Sequence, residues 1–196
     1  NGVGKTTLLK CIMGLLPVRE GVIHYQGEDL TKLSAERRAH MGIGYVPQGR
    51  QIFPLLTVEE NLRIGLQARR DGLKTIPEYI YEMFPVLQEM LGRRGGDLSG
   101  GQQQQLAIGR ALVTDPKLLI LDEPTEGIQP NIVHEIGDVI SKLNRDIGLT
   151  VLLVEQKLPF VRRVADSFII LDRGRMMAAA KVDDLNDELI RKYLTV

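Results

Sequence analysis

Residues 1–7 read NGVGKTT, a glycine-rich turn followed by a lysine and two threonines. Glycines let backbone N–H groups converge on a phosphate, and the positive end of the following helix adds to the attraction. In this pattern Lys5 reaches the β- and γ-phosphates of a nucleotide and Thr6 holds Mg²⁺. A plain glycine turn before a helix would not require the order G-K-T-T. We therefore predict a phosphate site formed by Asn1, Gly2, Val3, Gly4, Lys5, Thr6 and Thr7.

An acidic pair, Asp122 and Glu123, follows the apolar run LLIL in LLILDEP. Carboxylates at the carboxyl end of a parallel strand face the crevice where such sheets bind ligands. Asp122 then holds Mg²⁺ through water, and Glu123 is the general base for an attacking water. A solvated strand end is the alternative for such a pair on its own. The phosphate loop in the same chain favours the catalytic interpretation.

A second glycine-containing helix start lies in DLSGGQQQQLAIGRAL. Ser99 could be only the N-cap of this helix. A helix amino terminus preceded by glycines is also an anion site, and here it would consist of Ser99, Gly100, Gly101 and Gln102. One nucleotide does not need two phosphate cradles on one small domain, so this motif calls for a further explanation.

The elements that must position these residues follow from the apolar runs. IGYV, LLILD and LTVLLVE show no polar alternation, which is typical of strands buried on both faces, and hence of a parallel sheet between helices. The first helix should extend from the loop toward Pro17, and Thr57 with Glu60 forms a capping box that opens another. Residues 67–97 indicate a helical insertion. A hairpin around Asp172, Arg173 and Gly174 and a terminal helix complete the prediction.

Size and charge narrow the functional classes. A chain of 196 residues suits one domain with a sizeable core. Its 25 basic and 25 acidic residues give no net field that would attract nucleic acid. The single cysteine, Cys11, cannot form an internal disulfide. No apolar run approaches the roughly 18 residues of a membrane span.

The motifs NGVGKTT, YVPQ, LSGGQ and LLILDEP, in this order, resemble those of the ATP-binding subunit of an ABC transporter. The similarity spans essentially the whole chain, and LSGGQ is its most specific member. It implies an α/β P-loop NTPase fold: a mainly parallel sheet flanked by helices, with a helical subdomain at about 57–112 inside a single nucleotide-binding domain, 1–196. It also implies that the chain binds and hydrolyses ATP with Mg²⁺.

The resemblance assigns further roles and partners. Gln48 senses Mg²⁺ and the attacking water, while Ser99, Gly101 and Gln102 contact the γ-phosphate held by a second ATP-binding subunit. A head-to-tail dimer thus accounts for two cradles on one chain. The implied assembly adds two membrane permease subunits and a periplasmic solute-binding protein at the cytoplasmic face of the inner membrane, with no nucleic acid.

Two positions depart from the common pattern of the family. Gln156 stands where many members have a histidine that contacts the γ-phosphate, and Gln129 replaces the usual aspartate after the catalytic glutamate. A glutamine amide still donates a hydrogen bond but cannot become cationic or relay a proton. These changes suggest a nucleotide-binding module without turnover as one alternative. Lys5, Asp122 and Glu123 favour hydrolysis, with Gln156 as a neutral γ-phosphate contact.

A narrower resemblance lies in YVPQGRQIFPLLTVEENL, DEPTEGIQP, LLVEQK and DELIRKYLTV. Together they resemble the branched-chain amino-acid transporter branch, and most of all its urea-transporting relatives. The resemblance implies uptake of urea or short amides, with branched-chain amino acids as the alternative. A soluble ABC ATPase acting on ribosomes or DNA fits less well, because tandem domains and long coiled coils are missing. Because the chain opens inside a motif, we expect the preceding strand, the first loop glycine and an adenine-stacking aromatic to precede Asn1.

Overall fold

The computed structural model describes residues 4–194, so Asn1, Gly2 and Val3 of the predicted phosphate loop lie outside the described residues. The elements in chain order are α1 (Lys5–Ile12), β1 (His24–Tyr25), β2 (Glu28–Asp29), α2 (Ala35–His40), β3 (Ile43–Val46), α3 (Val58–Gly65), α4 (Tyr79–Met83), α5 (Pro85–Glu89), α6 (Gly100–Val113), β4 (Leu118–Asp122), α7 (Pro130–Ile147), β5 (Thr150–Val154), α8 (Leu158–Val164), β6 (Ser167–Asp172), β7 (Arg175–Lys181) and α9 (Asp187–Tyr193). Short 3₁₀ turns occupy Leu66–Ala68, Gly95–Asp97 and Val182–Asp184.

A three-stranded parallel sheet in the order β3, β4, β5 forms the centre of the fold. Val46 pairs with Leu121 and Asp122 pairs with Val154, so the three strands end almost level. The segments that follow them therefore emerge at one edge of the sheet. The predicted parallel sheet is confirmed.

Helices cover both faces of β4. Successive side chains of a strand point to opposite sides, so neighbouring residues of β4 pack against different helices. Leu119 and Leu121 belong to a buried cluster with α3, α6 and α7, whereas Ile120 packs in a second cluster with Leu9 of α1. The expected burial on both faces is therefore confirmed for β4. It is wrong for β5, whose side chains from 151 to 154 are only half-buried. Among residues 4–194, β5 has a strand partner on one side only.

The first helix is shorter than its apolar pattern predicts. It ends at Ile12 instead of continuing to Pro17, and Leu15 and Leu16 are exposed. Gly14 has φ of 72°, a left-handed conformation that ends a helix at little cost for glycine. The buried Arg38 side chain then donates to the carbonyls that α1 leaves open, at 2.6 Å to Cys11 O and 2.7 Å to Ile12 O.

Four helices lie between β3 and β4, and two of them, α4 and α5, fall within the helical insertion predicted over residues 67–97. Thr57 and Glu60 form the expected capping box at the start of α3. Pro85 takes the first turn of α5, where its missing N–H costs no hydrogen bond, and so separates α4 from α5. Ile80 and Leu87 share the buried cluster of Leu119, which joins the helices to the sheet.

The carboxyl-terminal part also matches its prediction. The antiparallel strands β6 and β7 form the hairpin around Asp172, Arg173 and Gly174, and α9 follows. Within residues 4–194, no helix combines the length and the apolar character needed to cross a bilayer.

We expect Arg38→Met to lower the free energy of unfolding by about 2–4 kcal/mol, because it removes the donors of several partly buried carbonyls. The neighbouring Arg37 is exposed and supplies the control. Arg37→Met should change the value by less than about 0.5 kcal/mol. Urea denaturation of both variants measures the difference, and equal stabilities would contradict the capping role of Arg38.

Candidate nucleotide site

The start of α1 is shaped to receive an anion. Gly4 precedes it with φ of 96°, and a Cβ at this position would lie 3.4 Å from the Cα of Gly174, so glycine is favoured on both counts. The first N–H groups of an α-helix have no partner within the helix. Among residues 4–194, no side-chain hydrogen bond caps those of α1. They are therefore available to phosphate oxygens, together with Lys5 and Thr6 in the first turn.

The Glu123 carboxylate is the meeting point of residues from three separate motifs. Lys5 Nζ lies 3.5 Å from Glu123 Oε1, Gln48 Nε2 lies 3.3 Å from Oε2, and Gln156 Nε2 donates to Oε1. The structure thus brings together Lys5, Gln48, Glu123 and Gln156. An ionised carboxylate can accept all these contacts and remain an acceptor for a water proton.

Glu123 holds this position in a strained backbone conformation. Its φ is 50°, in the left-handed region, which costs about 1–3 kcal/mol for a residue other than glycine. Its N–H donates to Val154 O at 2.8 Å, which extends the β4–β5 pairing by one residue. The strain turns the chain out of the sheet immediately after β4, at the point where the side chain meets Lys5.

Asp122 is buried beside Glu123 and fits a cation. Burial, followed by the charge of Glu123, raises the pKa of the Asp122 carboxyl, while Lys5 and hydrogen bonds with Thr6 and Tyr45 lower it. Burial and Asp122 in turn raise the pKa of Tyr45 to about 12. Asp122 Oδ2 is buried and lacks a hydrogen-bond partner among the described residues. A bound cation would stabilise the ionised form of the buried Asp122 carboxyl and would give its Oδ2 a partner.

The oxygens of Asp122 and Thr6 are ligands of the type that Mg²⁺ prefers. Within residues 4–194, no three His, Cys, Asp or Glu side chains form a metal-binding cluster. A magnesium ion held by Asp122 and Thr6 would leave coordination positions for water and nucleotide phosphate oxygens, as is usual for Mg²⁺ with nucleotides.

A hydrogen-bonded corner fixes the segment that carries Gln156. Glu155 accepts from Thr125 Oγ1 at 2.6 Å and from the N–H groups of Gln156 and Lys157 at 2.7 and 3.1 Å. Lys157 Nζ returns a bond to Thr125 O at 2.9 Å. The loops after β4 and β5 are thereby tied together, and the Gln156 amide is held on the side of Glu123.

The segment that carries Gln48 is a strained loop supported by arginines. Gly49, Arg50 and Gln51 all have positive φ, of 77°, 68° and 47°. Arg110 donates to Gln51 O at 2.8 Å, and Arg50 donates to Glu126 O at 3.2 Å. These bonds help to offset the strain at the two residues other than glycine.

Glu126 is a further residue at the site, and the sequence motifs do not single it out. Its Oε2 accepts from Gln48 Nε2 at 2.8 Å. The signal in the sequence is a third acidic residue in DEPTEG, three positions after Glu123 and within one turn of it. The sequence alone does not distinguish Glu126 from an ordinary exposed acidic residue of a loop.

The LSGGQ motif lies at the start of α6. Ser99 Oγ accepts from Gln102 N at 3.3 Å and Gln102 Oε1 accepts from Ser99 N at 2.9 Å, a capping box at the start of α6. A Cβ at Gly101 would lie 2.9 Å from Ile132, so this position requires glycine. The predicted N-cap role of Ser99 is therefore confirmed, and the anion site at the same helix start stays a prediction.

A cavity of about 710 Å³ adjoins this motif. It is lined by Met83, Pro85, Val86, Ser99, Gly100, Gly101, Gln102, Gln105, Gly127, Gln129, Ile132, Glu135, Asp138 and Val139. Lys5, Asp122 and Glu123 do not line it. The cavity beside LSGGQ is thus distinct from the group of residues around Glu123. Gln129, which replaces the aspartate usual in the family, borders this cavity.

Because the ionised Asp122 carboxylate is disfavoured by burial, we expect Asp122→Asn to stabilise the protein without nucleotide at neutral pH. A gain of about 2–4 °C in melting temperature corresponds to roughly 1 kcal/mol for a chain of this size. The gain should shrink as pH falls through the raised pKa of Asp122 toward the ordinary value near 3.9, where Asp122 is protonated and its penalty is gone. Thermal melts from pH 4 to 8, with Asp146→Asn as an exposed control, measure it. A neutral-pH melting temperature below that of the unchanged protein would contradict this account.

Comparison with known families gives one match over most of the chain. The family model for ABC transporters matches residues 1–126. A high-affinity branched-chain amino acid transport ATP-binding protein, BraG of Pseudomonas aeruginosa, is 43% identical over 178 residues, which cover 90% of this chain and 76% of that protein. A probable branched-chain amino acid transport ATP-binding protein, LivF of Archaeoglobus fulgidus, is 39% identical over 94% of this chain and 79% of its own length.

Solved structures agree with these relatives. The dimeric post-hydrolysis state of the ATP-binding cassette MJ0796 with ADP and Pi matches with a TM-score of 0.81 and 27% identity, over 92% of this chain and 81% of that one. The ATP-binding cassette MJ1267 matches with a TM-score of 0.81 and 29% identity, over 100% and 85% of the two chains. Both confirm the P-loop NTPase fold. The chain therefore belongs to the ABC transporter family, as one of its ATP-binding, ATP-hydrolysing subunits.

Proposed function

We propose that this chain powers an ABC importer for branched-chain amino acids by hydrolysing ATP at the site around Glu123. The observation that carries the hydrolytic part is the meeting of Lys5, Gln48 and Gln156 on the Glu123 carboxylate. The solute is supported by the relatives BraG and LivF, both described as branched-chain amino acid transport proteins. These relatives favour branched-chain amino acids over the urea expected from the sequence motifs.

Each residue near Glu123 has a distinct role in this proposal. Lys5 and the first-turn N–H groups of α1 hold the β- and γ-phosphates. Thr6 and Asp122 hold Mg²⁺, which neutralises phosphate charge when bound. Glu123 accepts the proton of the attacking water, and Gln48 orients that water and approaches the metal. The Gln156 amide donates to the γ-phosphate and stays neutral throughout.

The LSGGQ helix start is a second candidate phosphate site, and a second subunit would supply the phosphate that it binds. We propose a head-to-tail dimer in which Ser99, Gly100, Gly101 and Gln102 bind the γ-phosphate held by the partner. Two observations support it: this cradle lies away from Lys5 and Glu123, and the related MJ0796 cassette is dimeric with ADP and Pi. In the same proposal the helical subdomain, 57–112, docks on two permease subunits at the cytoplasmic face of the membrane, and a periplasmic protein delivers the solute.

We expect Glu123→Gln in the reconstituted transporter to abolish steady-state ATP hydrolysis, because the amide cannot accept the water proton. ATP binding should persist, since Lys5 and the amino end of α1 are unchanged. Glu36→Gln, which alters an exposed acid on α2, is the control and should keep full activity. Hydrolysis by Glu123→Gln at the unaltered rate would refute the catalytic assignment.

The same preparation identifies the solute. We expect binding protein loaded with leucine, isoleucine or valine to stimulate ATP hydrolysis, and urea to leave the basal rate unchanged. Stimulation by urea alone would replace branched-chain amino acids with urea as the transported solute while leaving the ATPase assignment in place.

The role of Gln156 yields a graded series. Gln156→Ala removes the amide donor and should lower kcat for ATP hydrolysis about 10-fold, whereas Gln156→His, which restores a donor, should recover much of it. Gln156→Glu should be slower than Gln156→Ala, because a second carboxylate would repel both Glu123 and the γ-phosphate. Equal kcat values for the unchanged protein and Gln156→Ala would rule out the phosphate contact.

A further inference from the structure

We propose that Glu126 is a positioning residue that holds the Gln48 amide with its oxygen turned toward the metal and the attacking water; this inference rests on the function proposed above for Glu123 and Gln48. Nothing in the motifs that define the site assigns a role to this exposed loop acid. Its place in the structure does.

The hydrogen bonds of Gln48 determine which way its amide faces. Nε2 lies 2.8 Å from Glu126 Oε2 and 3.3 Å from Glu123 Oε2, so both acids accept from the same NH₂ group. An ionised carboxylate only accepts hydrogen bonds, and an amide oxygen in this place would be repelled by both acids. The amide nitrogen therefore faces the carboxylates, and Oε1 is left for a cation or a water proton.

The shorter of the two bonds is the one to Glu126, so Glu126 and not Glu123 is the main acceptor for the Gln48 amide. The Glu123 carboxylate already accepts from the Gln156 amide and lies 3.5 Å from Lys5 Nζ. Because Glu126 takes the shorter bond from Gln48, more of the acceptor capacity of Glu123 is left for the attacking water. Without Glu126, the 3.3 Å contact to Glu123 is the only described side-chain bond of Gln48.

The backbone fixes Glu126 relative to both partners. Its N–H donates to Glu123 O at 3.2 Å, which places it one turn after Glu123. Its carbonyl accepts from Arg50 at 3.2 Å, on the strained loop that begins directly after Gln48. Arg110 braces the same loop through Gln51 O at 2.8 Å. Gln48 is exposed and its side chain has three rotatable bonds, so the loop places its Cα and Glu126 selects its rotamer.

A double-mutant cycle in the reconstituted transporter tests this role. Glu126→Ala should lower kcat for ATP hydrolysis about 10-fold and change KM for ATP less than twofold, because the phosphate contacts of Lys5 are intact. If Glu126 acts through Gln48, its removal in a Gln48→Ala background should change kcat by less than about twofold. Glu126→Gln keeps an oxygen that can accept from Gln48 and should retain at least about a third of the original kcat.

A second readout does not depend on turnover. Binding of Mn²⁺ to the transporter with ADP, followed by electron paramagnetic resonance, reports the metal site directly. Glu126→Ala and Gln48→Ala should raise the half-saturating Mn²⁺ concentration by the same factor, several-fold in each case. ADP binding without a divalent ion should stay unchanged. Asp146→Asn is the control. Helix α7 begins at Pro130, four residues after Glu126, and Asp146 lies near its far end, roughly 24 Å from Pro130 at 1.5 Å per residue.

The outcomes separate this inference from the proposed function. Multiplicative losses in the double variant, an unaltered Mn²⁺ requirement, or a Glu126→Gln variant as slow as Glu126→Ala would each overturn the positioning role. Thermal melts of the isosteric Glu126→Gln variant show whether folding is intact. If Glu123→Gln is inactive and the free-energy effects of Glu126→Ala and Gln48→Ala are additive, only the positioning role of Glu126 is refuted and the proposed function stands. If Glu123→Gln hydrolyses ATP normally, the proposed function itself fails.

Discussion

The parallel pairing of β4 with β3 and β5 is the constraint on which the Glu123 site depends. Because the three strands end almost level, the segments that follow them reach the same edge of the sheet. Gln48, Glu123 and Gln156, which are far apart in the sequence, meet there. Lys5 joins them from α1, whose Leu9 packs in the same buried cluster as Ile120 of β4. Backbone hydrogen bonds and apolar packing thus position the chemistry before any ligand contributes.

The site concentrates negative charge and backbone strain, and the surrounding structure offsets both. Asp122, Glu123 and Glu126 lie close together, with Lys5 as the cation paired to Glu123. Neutral amides from Gln48 and Gln156 supply the other donors to Glu123. A histidine in place of Gln156 would add a titratable positive charge, whereas the glutamine makes the donation independent of pH. In the proposed mechanism the proton transfer is therefore assigned to Glu123 alone.

Much of this arrangement follows from the sequence because the relevant signals are local. The capping boxes at Thr57 and Ser99, the apolar run of β4 and Gly4 before Lys5 each specify their own local structure. What the sequence does not specify depends on contacts between distant segments. Arg38 donates to the Ile12 carbonyl at the end of α1 from 26 residues away, and the partial burial of β5 is not apparent from its apolar sequence.

Glu126 illustrates the same limit at the site itself. Its importance arises from a hydrogen bond to a residue 78 positions away, and no spacing pattern within DEPTEG reveals that bond. The positive φ of Glu123 is likewise a consequence of the turn after β4 and of its bond to Val154, since a glutamate has no local preference for that conformation.

In the mechanism proposed above, Lys5, Glu123 and Gln156 form one phosphate-binding and hydrolytic centre. The decisive experiment is a structure of the Glu123→Gln variant with ATP and Mg²⁺. We expect Lys5 Nζ and Gln156 Nε2 each to lie within about 3.2 Å of a γ-phosphate oxygen, the ordinary hydrogen-bond range. We also expect a water between residue 123 and the γ-phosphate. A γ-phosphate bound away from Lys5, with Gln156 turned into solvent, would contradict this mechanism.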